Sequence, residues 1–306
     1  MPIFPLQDPD GMTAKLSIRF FNDTEIRAVW GETEGEWRFA VVDIIAAITG
    51  SSNPRNYWYV LKSRLKKSEF EPLTKCKGFK LTAADGKRRL TDTLGQKEIQ
   101  SLIEAIPGRN AVPFLKRFAY SDDAIDGRSR RQAYALFESG LLETMAPGTV
   151  QSLRQIHSYL FGGLYDFAGQ IRTVNIAKGS FLFAPARFLE NTLSLIEKMP
   201  HTTFDEIVDK YVEMNVAHPF REGNGRSARI WLDLMLKRAL KKCVDWSRIG
   251  KREYLDAMTA SPTDSSKIRA LLRGALTDNI NDRETFLKGI DYSYYYESED
   301  PNFAPY

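Results

Sequence analysis

Apolar and polar positions follow two different rhythms along the chain. Before residue 118 the pattern changes often. Residues 26–30 read as a strand, residues 32–35 turn the chain and residues 37–40 return it. Val41–Thr49 reads as a helix with Val42, Ile45, Ala46 and Ile48 on its apolar side. After the break Gly50-Ser51-Ser52-Asn53-Pro54, a second helix is expected over residues 55–67, with Pro54 suited to its first turn. Residues 79–81 and 88–91 flank Asp85-Gly86, a hairpin signal. Residues 97–106 predict a further helix stopped by Pro107-Gly108. Residues 122–131 are polar and contain a glycine, which predicts a linker. Beyond it helical spacing dominates, over residues 129–143, Val150–Phe161, residues 188–198, Phe204–Ala217 and residues 227–242. Thr203-Phe204-Asp205-Glu206 has the spacing of a capping box. Ile171, Thr173, Asn175, Phe181 and Phe183 alternate around Lys178-Gly179 and predict a short hairpin inside this helical region.

Composition narrows the class. The chain has 306 residues, 43% hydrophobic and 27% charged, as in soluble globular proteins, and is long enough for two domains. No apolar run approaches the roughly 20 residues of a membrane helix, and the first residues lack the pattern of a secretory leader, so no membrane partner is expected. Cys76 and Cys243 are the only cysteines; free thiols in a reducing cytoplasm are the expectation. The net charge of +4 does not by itself imply nucleic acid. Residues 55–89 nevertheless hold eleven Lys and Arg against three Asp and Glu, a solvated face or a surface for an anionic partner.

The stretch with most chemistry is His218-Pro219-Phe220-Arg221-Glu222-Gly223-Asn224-Gly225-Arg226-Ser227-Ala228-Arg229, between two helical patterns. Gly223-Asn224-Gly225 allows the main chain to approach a ligand, with N–H groups converging at the start of the next helix, a setting that favours phosphate. Arg226 and Arg229 are neighbours on one helical face and can reach one polyphosphate. Glu222 beside phosphates calls for a bridging cation, and Mg²⁺ is the natural choice. His218 has the ordinary pKa of a general base at neutral pH.

These residues resemble the signature of the Fic family, His-x-Phe-x-(Asp/Glu)-Gly-Asn-Gly-Arg-x-x-Arg, at every defined position. The segment Leu160-Phe161-Gly162-Gly163-Leu164-Tyr165-Asp166-Phe167-Ala168-Gly169-Gln170-Ile171-Arg172 is similar to the stretch that leads into the family's flap, and the likeness covers about residues 121–298. The resemblance implies a mainly α fold: a helical Fic domain over residues 119–298 with a β-hairpin flap, preceded by a small α+β domain over residues 18–118, with tails at 1–17 and 299–306. It implies a protein adenylyltransferase that moves AMP from ATP to a Ser, Thr or Tyr hydroxyl of a target protein bound along the flap. His218 would take the hydroxyl proton, Glu222 would hold Mg²⁺, Gly223, Asn224 and Gly225 would form the anion hole, and Arg226 and Arg229 would orient the outer phosphates. Phe220 would anchor the loop. Asn215, Ser227, Lys178 at the flap tip and Lys251 complete the nucleotide-contact candidates.

Ser293-Tyr294-Tyr295-Tyr296-Glu297-Ser298 resembles the family's inhibitory motif in the subclass with a C-terminal inhibitory helix, except that Ser298 stands where the motif has Gly or Asn. Ser293 and Glu297 share a helical face. The resemblance implies that Glu297 pairs with Arg229, with Tyr294 a candidate for self-modification. Residues 18–118 resemble the Bro-N domain of phage antirepressors through Ala28-Val29-Trp30, residues 37–48 with Asp43, and Asn53-Pro54-Arg55. That likeness points to DNA, with Lys62, Arg64, Lys66 and Lys67 as phosphate contacts, or equally to a protein partner. Homo-oligomer formation stays open. Two alternatives remain: a Fic-fold de-AMPylase or other phosphate-group transferase, against whose phosphorylating members Gly225 argues, and a DNA-binding regulator with an inert Fic domain.

Overall fold

Strands crowd the first third of the chain and helices the rest. A computed structural model describes residues 16–21, 24–83, 85–106, 125–178 and 181–297. It divides into two compact units, residues 1–120 and 121–306.

The first unit is built on five antiparallel strands: β1 (Leu16–Phe21), β2 (Thr24–Gly31), β3 (Glu36–Ala40), β4 (Lys77–Thr82) and β5 (Arg88–Gly95), in the order β1-β2-β3-β5-β4. Three helices follow or interrupt them: α1 (Val41–Thr49), α2 (Pro54–Lys67) and α3 (Gln96–Glu104). Ile26, Ala28, Phe39 and Leu94 supply the sheet's half of the core, and Ile44, Ile45, Trp58, Leu61, Ile99 and Leu102 the helices' half. Strand β1 was not expected and starts inside the segment read as a tail. On α1 the residues turned fully inward are Val41, Ile44 and Ile45, while Val42, Ala46 and Ile48 are only partly covered. The apolar side is therefore rotated from the expected one, because the helix begins directly at the end of β3. Asn53 caps α2 by accepting from the Asn56 N–H at 3.1 Å. Arg55, Arg64, Lys66 and Lys67 are exposed, whereas Lys62 is half-buried and paired with Asp92 at 2.5 Å. Asp43 takes a two-pronged bond from Arg27. Pro107-Gly108 and the proposed boundary near 118 lie outside the described residues.

The second unit holds nine helices among the described residues: α4 (Ile125–Glu138), α5 (Leu141–Thr144), α6 (Val150–Phe161), α7 (Leu189–Lys198), α8 (Phe204–Ala217), α9 (Asn224–Leu240), α10 (Lys251–Ala260), α11 (Ser266–Gly274) and α12 (Arg283–Glu297). Helix α9 runs through the middle, packed on α6, α8 and α12. Its residues 226–233 are buried on every side, as befits a central helix. Leu160, Ile207, Tyr211, Trp231 and Leu236 build the core around it. The capping box is present: the Thr203 hydroxyl accepts from the Glu206 N–H and the Glu206 carboxylate accepts from the Thr203 N–H.

Three expectations are corrected here. Residues 125–131 are helical rather than a linker; Ser129 and Arg130 are buried, and packing of α4 on α6 and α12 outweighs the poor propensity of Gly127. The helix expected over 129–143 breaks at Gly140, which adopts a positive φ of 72°. The flap is shorter than expected: only β6 (Ala177–Lys178) and β7 (Phe181–Leu182) pair, as Ala177↔Leu182 and Lys178↔Phe181. Residues 171–175 form no strand; side chains tie them down instead, with Asn175 Oδ1 accepting from the Ala186 N–H at 2.8 Å. Strands β8 (Cys243–Val244) and β9 (Leu276–Thr277), and helices α10 and α11, were not foreseen.

Ile45 is 0% exposed at the sheet–helix interface of the first unit, so Ile45→Ala is expected to cost about 2–5 kcal/mol. Leu195→Ala on the exposed side of α7 should change stability by less than about 0.5 kcal/mol. Urea unfolding of both variants, read as midpoints at constant slope, checks the contrast.

Candidate active site

The loop between α8 and α9 is held by its own side chains. Asn224 Oδ1 accepts from the Phe220 N–H and Asn224 Nδ2 donates to the Phe220 carbonyl, both at 2.8 Å. The expected anion-hole residue thus turns its side chain back to clamp the loop and leaves its backbone N–H at the start of α9. Phe220 is 0% exposed and stacks on His157 at 3.8 Å, so it anchors the loop as expected. Gly223 has φ 79°, and a Cβ there would run into the Phe161 ring; glycine is required on both grounds.

His218 closes α8 in the left-handed conformation, φ 48° and ψ 64°. This region costs a residue with a Cβ roughly 1–2 kcal/mol. His218 Nδ1 lies 3.1 Å from the Asn215 carbonyl. A carbonyl only accepts, so Nδ1 carries the proton and Nε2 keeps its lone pair. Phe183, just past the flap, stacks on the imidazole at 3.7 Å. Burial drives the His218 pKa down to about 4, so the ring is neutral at pH 7. Sequence reasoning passed over His157, whose only signal was its place on the inward face of α6. It accepts from the Gly169 N–H at Nδ1, 2.8 Å, and donates from Nε2 to the Glu222 carbonyl, 2.9 Å.

Both motif arginines are buried, and α12 reaches both. Arg229 Nε donates to Ser293 Oγ at 2.8 Å, Nη2 to the Ser293 carbonyl at 2.8 Å and to Glu297 Oε1 at 2.6 Å, and Nη1 to the Tyr254 hydroxyl at 3.1 Å. The Tyr254 and Tyr296 rings each lie 5.4 Å from its guanidinium carbon. Burial opposes the Arg229 charge, but Tyr254 and Glu297 outweigh it and raise the pKa. Glu297, 26% exposed, is held below the usual carboxylate range: burial works against its charge and Arg229 overcomes it. A Cβ on Gly225 would overlap the Glu297 carboxylate, which places that carboxylate inside the nest. Arg226 donates to Glu222 Oε1 at 2.8 Å and to Asp126 of α4, and lies between the Phe161 and Tyr294 rings.

The remaining candidates are distributed as follows. Lys178 is exposed on β6, and its charge acts on both His218 and Glu297. Asn215 contributes its carbonyl to His218. Ser227 is wholly buried, its hydroxyl without a hydrogen-bond partner among the described residues and its N–H bonded to the Gly223 carbonyl. Lys251 starts α10 with its ammonium 4.9 Å from the Tyr295 ring. The Tyr294 hydroxyl is bonded to Ser129 Oγ and 6% of the residue is exposed; burial pushes the phenol up to about 12. The expected self-modification candidate is thus buried in this conformation. Ser298 lies outside the described residues. Among the described residues no three His, Cys, Asp or Glu side chains converge to hold a metal. Glu222, 56% exposed at the lip of the nest, fits Mg²⁺ in the usual way, through one carboxylate with phosphates supplying the rest. No described helix is long and apolar enough to cross a membrane.

A neutral histidine, a glycine nest, two buried arginines and a flap on a helical scaffold define this site. Residues 147–236 match the model of the Fic/DOC family, and the chain carries a Fic domain. It is 31% identical over 170 residues to protein adenylyltransferase VbhT of Bartonella schoenbuchensis, a match covering 51% of this chain and 35% of that protein. It is 29% identical over 140 residues to a probable protein adenylyltransferase, y4lH, of Sinorhizobium fredii, covering 41% of this chain and 72% of that protein. The chain therefore spans about a third of the length of VbhT and nearly three quarters of that of y4lH. Among solved structures it is similar to BepC of Bartonella tribocorum with bound AMPPNP, at 19% identity and a TM-score of 0.43, covering 50% of this chain and 86% of that one.

His157 and His218 both have pKa values lowered by burial to about 4 from 6.5. Between those pH values the two histidines make the unfolded chain bind protons that the folded unit does not, so their contribution to stability falls as pH drops through this window. Asp233, pushed up to about 6 by burial, opposes part of this fall, and Glu297, held low by Arg229, extends the loss to lower pH. Melting temperatures from pH 7 to 4 should show this slope, and His218→Asn should make it shallower.

Proposed function

We propose that this protein transfers AMP from ATP to a hydroxyl of a target protein and that Glu297 restrains the reaction. The observation that carries the reading is the position of the Glu297 carboxylate, seated in the Gly223–Gly225 nest and bonded to Arg229. The nest and its arginine already hold an anion, supplied by the chain itself, where a phosphate would lie. In the reaction His218 Nε2 takes the proton of the target hydroxyl. The oxygen attacks the α-phosphorus, the bond to the bridging oxygen breaks, and pyrophosphate leaves with AMP retained on the target. The backbone N–H groups at the start of α9 stabilise charge growing on the phosphate oxygens, and Arg226 and Arg229 orient the outer phosphates. Mg²⁺ held by Glu222 would neutralise phosphate charge when bound. The target segment would pair with the exposed edge of the β6–β7 hairpin, a few residues from Phe183 and hence from the base. For the first unit, exposed Arg55, Arg64, Lys66 and Lys67 on one helix support an anionic partner; binding to duplex DNA that weakens with salt would support it, and no binding would favour a protein.

Label transfer from α-labelled ATP tests the main reading. Wild type should transfer weakly. Glu297→Gly should raise transfer at least about tenfold, the equivalent of only about 1.4 kcal/mol. Adding His218→Ala should cut it by about 10²–10⁴-fold. No label with any variant would overturn the proposed activity.

A further inference from the structure

One side chain reaches both the backbone of His218 and the two legs of the flap. Arg172 is 3% exposed. Its Nε donates to the His218 carbonyl at 2.7 Å, Nη2 to the Ala217 carbonyl at 3.0 Å and the Ala184 carbonyl at 2.6 Å, and Nη1 to the Val174 carbonyl at 2.6 Å. Its own N–H donates to the Pro219 carbonyl at 2.9 Å. Ala217 and His218 are the last helical residue and the cap of α8, where carbonyls have no partner within the helix and a cation is favoured. Val174 and Ala184 lie on opposite sides of the hairpin β6–β7. Among the described residues no carboxylate pairs with Arg172; four carbonyl dipoles meet its charge. Only a planar fork with donors in several fixed directions fits four such acceptors at once, and an ammonium, with its donors on a single atom, does not.

His218 needs such a tie. Its left-handed backbone is fixed by few other bonds, among them its N–H to the Met214 carbonyl at 3.0 Å. Its ring is fixed by Asn215 and Phe183, and Phe183 itself follows the flap. We infer that Arg172 is a positioning residue for the proposed transfer: it holds His218 in its left-handed turn and locks both flap legs to the same point, so that the base and the strand presenting the target hydroxyl keep a fixed separation.

The kinetic part of this inference rests on the AMP-transfer reading; the structural part does not. Two variants of the full chain serve, Arg172→Lys, which keeps the charge and loses the fork, and Arg172→Met, which loses both. Nitrogen NMR of the imidazoles reads the His218 tautomer without any catalysis. The wild type should show the Nδ1–H form alone, and both variants a mixture of tautomers while still folded, at a lowered melting temperature because buried carbonyls lose their donor. In the Glu297→Gly background, Arg172→Lys should lower kcat about a hundredfold, the scale expected for an ångström of misplacement, with the KM for ATP unchanged. A folded variant with one tautomer and undiminished kcat would overturn the inference. Loss of folding in both variants would overturn it in favour of a purely structural tie. If the Glu297→Gly parent itself transfers no label, the AMP-transfer reading fails and the tautomer measurement alone decides the role of Arg172.

Discussion

The second unit is arranged around a charge that has been taken out of water. Arg229 is 2% exposed, and a buried guanidinium is tolerable only when its donors are matched and its charge is opposed. Meeting that requirement draws in four separate elements. Helix α9 carries the residue, α10 brings Tyr254, α8 brings Tyr211 against the Tyr254 hydroxyl at 2.6 Å, and α12 brings Ser293, Tyr296 and Glu297. Tyr296 in turn donates its hydroxyl to carbonyls of Trp246 and Ile249. The aromatic cluster at this end of the molecule is thus the housing of one cation.

The loop that precedes α9 obeys a different constraint, that of a tight chain with little room. Asn224 and His157 use side chains to replace the backbone bonds that helix and sheet would provide, and Phe161 closes the space above Gly223. The same packing that immobilises the loop removes water from the imidazoles, so rigidity and neutral histidines come from one cause. The flap, by contrast, has two paired positions per strand and exposed Phe181 and Leu182. A stiff reactive centre faces a lightly built surface.

Much of this was legible in the sequence where local rules dominate. The spacing of Val150–Phe161 and Phe204–Ala217, the Thr203 box and the Gly-Asn-Gly turn each encode their structure within a few residues. The pairing of Glu297 with Arg229 was legible only through resemblance, since 68 residues separate them. What escaped the reading depends on contacts distant in sequence. Gly127 sits in a helix because α6 and α12 cover it. Arg172 and His157 look like ordinary members of a loop and an amphipathic stripe until the fold brings carbonyls to one and aromatic rings to the other. Helices α10 and α11, at ten and nine residues, carry too few apolar positions for a clear period. Strand β1 and the rotation of α1 are set by sheet register, which a single segment does not declare.

The shared space of Gly225 and Glu297 limits how this sequence can drift. A methyl group at 225 would push the carboxylate out and, by the same step, fill the hollow that the carboxylate vacates. Loss of the nest would still leave Glu297 its other role, opposing the buried charge of Arg229. The two positions are coupled by volume alone, without touching through any bond, and would be expected to change together across descendants of this chain.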